Sequence, residues 1–489
     1  MNKSSKGSPW NIPNIGKYSK VNLYTITQQH DRKVVELRVP MSAFEVKPVL
    51  QPLELPSDSD LWSSAPRLAA MAWVRGPPKP RHVEREKETP PEEVDLASLA
   101  KKGEVVLKSS VKVFSSEDIT RMTTLLTDVD AIVLKANTRY DESLLSHLIN
   151  LGKPILPEWD RWGYAWYGRY LLGKLRRLGS STFVPAGADD VKALIGALRA
   201  VKFLRCMRTL YVGDIPPHGI FDVNYDFDLI MRKFGTTFIR IDFEDYIREI
   251  NEASDEDARK LANLWKGQCK ILDGREEKLD FYAKVYIGIK SLLERYTANA
   301  ITIDCAWLPD PEYVSCTAFS LLIDEGIPAG CEGDINQLIM MAALMAISRQ
   351  AVLMGNLNEN ATHQDIENGI IVINHDVLPF SMRCKGCPIV LRDFHALGKG
   401  LTPYAELEKG ALVTIAGLDE GMERIWATTG RVAWTKDTTH CRVAIGIKVS
   451  NAKRIMSEAF GHHPVVTYGD HIRPLQVFAK LLGLDFIHM

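Results

Sequence analysis

One stretch constrains this chain more than any other. From Ile335 to Arg349 the sequence is apolar on almost every side, through Ile335, Leu338, Ile339, Met340, Met341, Ala342, Ala343, Leu344, Met345 and Ile347. A helix that is apolar all round must be covered all round, so the fold has to supply layers on both sides of it. Asp334 stands where an N-cap belongs, its carboxylate able to take the first unpaired backbone N–H groups. Just upstream, Ile327 to Gly330 is short, apolar and bounded by Pro and Gly, as the end of a buried strand is. Glu332, between Cys331 and Gly333, is left in the tight strand-to-helix turn, where open α/β sheets bind ligands. Taken alone, a turn carboxylate reads first as a polar surface group; what the chain brings near it decides.

Strands and helices alternate ahead of that turn. Val129–Leu134 and Pro154–Leu156 read as short strands around a helix at Tyr140–Leu151, and Ser115-Ser-Glu-Asp118 has capping-box chemistry. A second run opens with a strand at Thr209–Asp214. It continues with a helix at Asp226–Phe234, a strand at Thr237–Asp242, helices at Ser254–Leu272 and Leu279–Tyr296, and a strand at Ala300–Ala306. Such alternation predicts parallel, doubly wound sheets. Gly213 is followed by Asp-Ile-Pro-Pro rather than by further glycines, so the dinucleotide fingerprint is missing and a nucleotide is disfavoured.

After the buried helix come seven short β-type runs: Ala351–Gly355, Gly369–Asn374, Pro388–Leu391, Ala411–Ala416, Glu423–Trp426, Gly430–Ala433 and Arg442–Val449. Short strands separated by turn residues predict a barrel or sandwich. Pro464–Tyr468 and Ile472–Leu482 then read as a return to strand and amphipathic helix. The expected fold class is α/β: two doubly wound parallel-sheet (Rossmann-like) domains, 1–204 and 205–350, followed by a C-terminal β-barrel-like domain, 351–489. Residues 1–17 read as a loose arm and 75–95 as an exposed Pro-rich, charged loop. Lys20–Thr27 and Lys33–Pro40 read as a strand pair.

Composition narrows the function classes. With 60 basic and 61 acidic residues the net charge is −1, which offers nucleic acid or an anionic membrane nothing to hold. No run of about 18 apolar residues appears, and the start lacks the apolar region of a secretory signal, so a cytoplasmic protein is expected. Trp159, Trp162, Tyr164, Trp166, Tyr167 and Tyr170 crowd just ahead of Lys174, Arg176 and Arg177. That cluster reads as core or subunit contact, with a wall against a sugar as the alternative. Cys384-Lys-Gly-Cys387 has no second pair to complete a zinc set; a reduced, structurally incidental pair is expected, with a redox pair as the alternative.

Four positions in the last third carry metal-ligand chemistry at strand ends or edges: Glu332, Asn356, His375, and the pair His462-His463. Carboxylate, amide oxygen and imidazole suit Mn²⁺, Mg²⁺ or Co²⁺. Several stretches now line up. They are Gly330-Cys-Glu-Gly-Asp334 with its buried helix, the strand ending at Asn356, the Asn-His-Asp-x-x-x-Pro-Phe-Ser stretch of Asn374–Ser381, and Gly-His-His-Pro-Val-Val-x-Tyr-Gly-Asp of Gly461–Asp470. In this order and spacing they resemble the L-fucose isomerase and L-arabinose isomerase group, from about residue 300 to the end. Between 105 and 300 the likeness rests on element order, and the first hundred residues show none.

The resemblance implies a site between the second and third domains, with Mn²⁺ (or Mg²⁺ or Co²⁺) as cofactor. The implied reaction is aldose–ketose isomerisation of a pentose or 6-deoxyhexose through an enediol. The implied assembly is a homotrimer or homohexamer in which a neighbouring subunit helps close the pocket. Position by position, Glu332 matches the metal-binding and catalytic carboxylate, His463 the metal-binding His, and His375 the further His of the arabinose branch. His375, Asp376 and Trp307 are the expected substrate contacts. Asn356 matches the second carboxylate and departs from it. An amide oxygen can ligate an ion but moves no proton near neutral pH, so isomerase activity is expected to be weakened. Either Glu332 shuttles a single proton, or Glu359 swings in, or the chain binds a sugar without isomerising it, or it performs another metal-assisted step such as epimerisation.

Overall fold

The computed structural model describes residues 188–214 and 225–489 continuously, together with 129–134, 142–157 and 168–185. Shorter pieces upstream are 22–27, 67–70, 100–101, 105–108, 111–112, Thr120 and Leu126. The chain divides into two compact units, Lys20–Ala186 and Gly187–Met489. Its class is mixed α/β, with parallel sheets and a nearly closed antiparallel, barrel-like sheet. Among the described residues no helix is long and apolar enough to cross a membrane.

The first unit holds a six-stranded sheet whose strands all pair in parallel. Ala131–Leu134 is buried at every position, as a strand covered on both faces requires. The helix Glu142–Ile149 turns Leu144, Leu145 and Leu148 inward, the i, i+1, i+4 face of one stripe. The loose arm, the Pro-rich loop, the capping box at Ser115 and the run Lys33–Pro40 lie outside the described residues. So do five of the six clustered aromatics; Tyr170 is exposed on the helix Gly168–Arg177.

The second unit is built around the buried helix, Ile335–Ser348. Ahead of it lies a four-stranded parallel sheet in the order Ala329–Cys331, Ala300–Ile303, Arg208–Val212, Thr237–Ile241. The helix Ala188–Cys206 packs on one side of the buried helix, and the barrel strands Leu412–Leu418 and Val465–Tyr468 pack on another. That sandwiching explains a helix with almost no polar face, since Met340, Met341, Ala342 and Ala343 are all inaccessible.

Two runs expected as separate strands, Glu423–Trp426 and Gly430–Ala433, form one long strand, Arg424–Asp437, with an irregularity between Val432 and Trp434. Pro388–Leu391 leaves the barrel altogether. As Ile389–Arg392 it pairs with Thr402–Tyr404 and, in parallel, with Cys269–Ile271, a strand where the expected helix Ser254–Leu272 stops short at Gln268. Val465–Tyr468 is itself a barrel strand, antiparallel to Leu412–Leu418. Cys384 and Cys387 are joined as a disulfide, contrary to the expected reduced pair.

The barrel closes through one short segment. Leu353–Met354 pairs with Val465–Val466, and Asn356–Leu357 pairs with Ile373–Asn374. The switch of partner falls on Gly355, where a Cβ would stand 2.9 Å from the Asn374 carbonyl oxygen. Only glycine allows the two backbones this close. The side chains of Ile371, Ile373, Val413, Ile415, Ile445, Ile447 and Val466 fill the barrel.

Candidate metal and sugar site

Glu332 occupies the turn after the last parallel strand, in the left-handed region at φ 60°, followed by Gly333 at φ 66°. Two successive left-handed residues turn the chain sharply between the strand and the helix. The helix then starts at Asp334, whose Oδ1 accepts from the Gln337 N–H at 3.1 Å. Its other oxygen, Oδ2, lies 2.9 Å from His463 Nδ1. The N-cap thus fixes an imidazole as well as a helix. A carboxylate on Nδ1 leaves Nε2 as the outward-facing nitrogen, the arrangement that orients a metal-binding His. His463 Nε2 faces Glu332 Oε2 at 3.6 Å.

The loop carrying His463 is held by the same helix. Asn336 and Gln337 both donate to the Leu418 carbonyl at 2.7 Å. Gly461, at φ 79°, lies so close to Gln337 that a Cβ there would stand 2.0 Å from Nε2.

His375 ends the barrel strand Ile370–His375 and presents Nε2 to Glu332 Oε1 at 3.6 Å. Its Nδ1 accepts from the Asp376 backbone N–H at 2.9 Å, which leaves the ring proton on Nε2. Burial pulls its pKa down, but the carboxylates of Glu332, Asp376 and Glu359 outweigh burial and raise it. Burial pushes Glu332 up, while the imidazoles of His375, His463 and His462 more than reverse that and hold its carboxyl at about 2.

Asn356 is buried, 8% exposed, with its Nδ2 donating to Glu359 and facing Cys441 Sγ at 3.7 Å. Glu359 also accepts from Asn374 Nδ2 at 2.6 Å and pairs with His440 Nδ1 at 2.7 Å. Burial pushes its carboxyl up, but the Asn356 and Asn374 amides and His440 outweigh burial and lower it.

These groups line one cavity of about 440 Å³. Glu332, Asn356, Glu359, His375, Asp376 and His462 stand in its wall beside Cys305, Phe394, His395, His440 and Cys441. The structure therefore brings Glu332, Asn356, His375 and Asp376 together, with His463 buried directly behind Glu332. Trp307 is placed elsewhere: it is 57% exposed and its neighbours Cys305 and Ala306, not the indole, reach the cavity.

Sequence reasoning missed His395, His440 and Cys441, and saw in Asp334 only a cap. An adjacent His-Cys pair in a strand-to-strand loop was the available signal for two of them.

The residues fit a divalent ion. Glu332 Oε2, Asn356 Oδ1 and His375 Nε2 are buried without a hydrogen bond, and such groups ordinarily have one. Carboxylate, amide oxygen and imidazole are the donors that hard and borderline ions take. No known family model matches the chain, and neither does any curated protein sequence.

Proposed function

We propose that the chain is a metal-dependent sugar isomerase-like enzyme, interconverting an aldose and a ketose of a pentose or 6-deoxyhexose through an enediol. One observation carries this reading: a half-buried Glu332 flanked by the imidazoles of His375 and His463, its Oε2 without a hydrogen bond, at the wall of a cavity large enough for a monosaccharide. Glu332 and His463, with Asn356 Oδ1, would hold Mn²⁺, Mg²⁺ or Co²⁺. Such an ion, when bound, polarises neighbouring carbonyl and hydroxyl oxygens.

The remaining chemistry belongs to the chain. His375, with its proton on Nε2, donates a hydrogen bond to a sugar oxygen. Asp376 is held by the Arg442 N–H at 2.9 Å and by His395 Nε2 at 2.6 Å, which fixes it as a rigid acceptor. Isomerisation needs a base for a carbon-bound proton beside a carbonyl. Glu359, three residues on from Asn356, supplies a carboxylate: it touches the Asn356 amide, faces the same cavity and has its pKa lowered by the Asn356 and Asn374 amides and His440. In this reading Glu359 and Glu332 share the proton transfers and Asn356 aligns the first of them. A three-domain arrangement like that of the L-fucose and L-arabinose isomerases is part of the proposal.

Thermal unfolding with and without Mn²⁺ tests the site. Wild type should gain melting temperature with Mn²⁺, and Glu332→Ala and His463→Ala should lose that gain. A wild-type-sized gain in Glu332→Ala would place the ion elsewhere. The alternative, a sugar-binding protein without turnover, is the outcome if Mn²⁺ binds at Glu332 and no aldose is converted.

A further inference from the structure

We propose that Cys441, His440 and His395 form a second metal site in the same cavity, distinct from the Glu332–His463 site and suited to a zinc-like, borderline-soft divalent cation. One ligand atom from each of the three residues lies within 4.8 Å of the other two. Small side-chain rotations would bring all three to within about 2.0–2.3 Å of one ion. Two imidazoles and a thiolate make a three-ligand set that leaves a position open, as catalytic zinc sites do. Thiolate and imidazole favour Zn²⁺ or Co²⁺ over Mn²⁺ or Mg²⁺, the reverse of a carboxylate–amide set.

The surroundings are those of a built site. His440 Nδ1 lies 2.7 Å from Glu359 Oε1, and His395 Nε2 lies 2.6 Å from Asp376 Oδ2. On His440 the carboxylate holds Nδ1 and leaves Nε2 for an ion, whereas His395 faces Asp376 and Cys441 Sγ through the same Nε2, so an ion there displaces the Asp376 contact. Asp376 is anchored in turn by the Arg442 N–H, next to Cys441 in the chain. His395 stacks on Phe394 with ring centroids 3.7 Å apart and approaches His440 at 4.2 Å.

Cys441 Sγ sits 3.8 Å from His395 Nε2 and 3.7 Å from Asn356 Nδ2. Binding a divalent cation through Cys441 Sγ releases the thiol proton. The two sites share Glu359 and Asn356 as a partition.

Cobalt reports on the thiolate directly, because sulfur-to-cobalt charge transfer absorbs in the near ultraviolet and oxygen or nitrogen ligands alone do not produce that band. Full-length protein, reduced with a non-chelating phosphine, is titrated with Co²⁺ and then challenged with Zn²⁺. The expected result is a charge-transfer band whose plateau corresponds to one thiolate-bound Co²⁺ per chain, reached at one equivalent in Glu332→Ala, bleached by Zn²⁺, retained in the Cys384→Ser/Cys387→Ser variant, and absent in Cys441→Ser. His440→Ala, at an exposed position, should weaken Co²⁺ binding at least about tenfold and covers the case in which Cys441→Ser fails to fold. No band in the wild type, a band that survives Cys441→Ser, or unchanged affinity in His440→Ala would overturn the site. Loss of the band in Glu332→Ala would overturn its independence from the first site. Because the readout needs no turnover, it stands or falls separately from the isomerase reading.

Discussion

At the scale of single residues, the site turns on which atoms are left over once each side chain has done its structural work. Asp334 caps the helix with one oxygen and orients His463 with the other. Asp334→Asn keeps a competent N-cap but replaces a charged acceptor with an amide at His463 Nδ1. The expected result is Mn²⁺ affinity lower by about 10–100-fold, with a melting temperature near wild type in the absence of metal. Unchanged affinity would show that Asp334 acts only as a cap. Glu359 carries the larger claim: Glu359→Gln should cut turnover by about a hundred- to ten-thousand-fold while leaving the Mn²⁺ stabilisation in place. Asn356→Asp is informative for a different reason. It sets a carboxylate against Glu359, and two carboxylates sharing a site raise one pKa strongly. Metal binding should tighten, while turnover at neutral pH rises only if the ion screens the pair.

Elements place these residues, and their own restraints are testable away from the chemistry. The loop 461–463 approaches the buried helix through Gly461, where both the left-handed φ of 79° and the contact with Gln337 demand glycine. Gly461→Ala should cost about 1–3 kcal/mol and also reduce the Mn²⁺ shift, because His463 moves with the loop. A variant that loses stability but keeps the full shift would uncouple the two.

The short 3₁₀ turn Pro311–Tyr313 is tied down by Glu312, which accepts from the Gly400 N–H at 2.7 Å and the Tyr282 hydroxyl at 3.1 Å and pairs with Lys278. Burial pushes the Glu312 carboxyl up, but Lys278, Gly400 and Tyr282 outweigh burial and hold it below its ordinary 4.5. A depressed folded-state pKa contributes stability that is present above the unfolded value and lost as pH falls through the folded one. Denaturant melts of Glu312→Gln should therefore show about 1–3 kcal/mol less stability than wild type at pH 7, the gap closing as the pH drops below 4.5. A gap independent of pH would remove the ionised carboxylate from the account.

Across the whole molecule, what the sequence revealed follows from the range of the interactions involved. Local signals were enough for the buried helix, its Asp334 cap, the parallel strands at 208–212, 237–241 and 300–303, and the β-rich texture after residue 350. Pairing partners were not local. Nothing within 389–392 distinguishes a barrel strand from one that adds to 269–271, and the closure at Gly355 depends on a backbone a score of residues away. Within the site, Glu332, Asn356, His375, Asp376 and His463 were legible because short motifs carry them. His395, His440 and Cys441 were not, because two loops far apart in the chain bring them to one wall.

The expected trimer or hexamer remains a proposal at this scale, and sedimentation at micromolar concentration checks it: a monomer would remove the subunit-contact reading of the aromatic cluster at 159–170. The measurement that bears most directly on the central claim is sugar turnover itself. Wild type saturated with Mn²⁺ is given a panel of pentoses and 6-deoxyhexoses, with Glu332→Ala as control, and ketose is followed by NMR. The account predicts ketose from at least one aldose with wild type and none with Glu332→Ala. No ketose from any of them, with Mn²⁺ verified at Glu332, would contradict it.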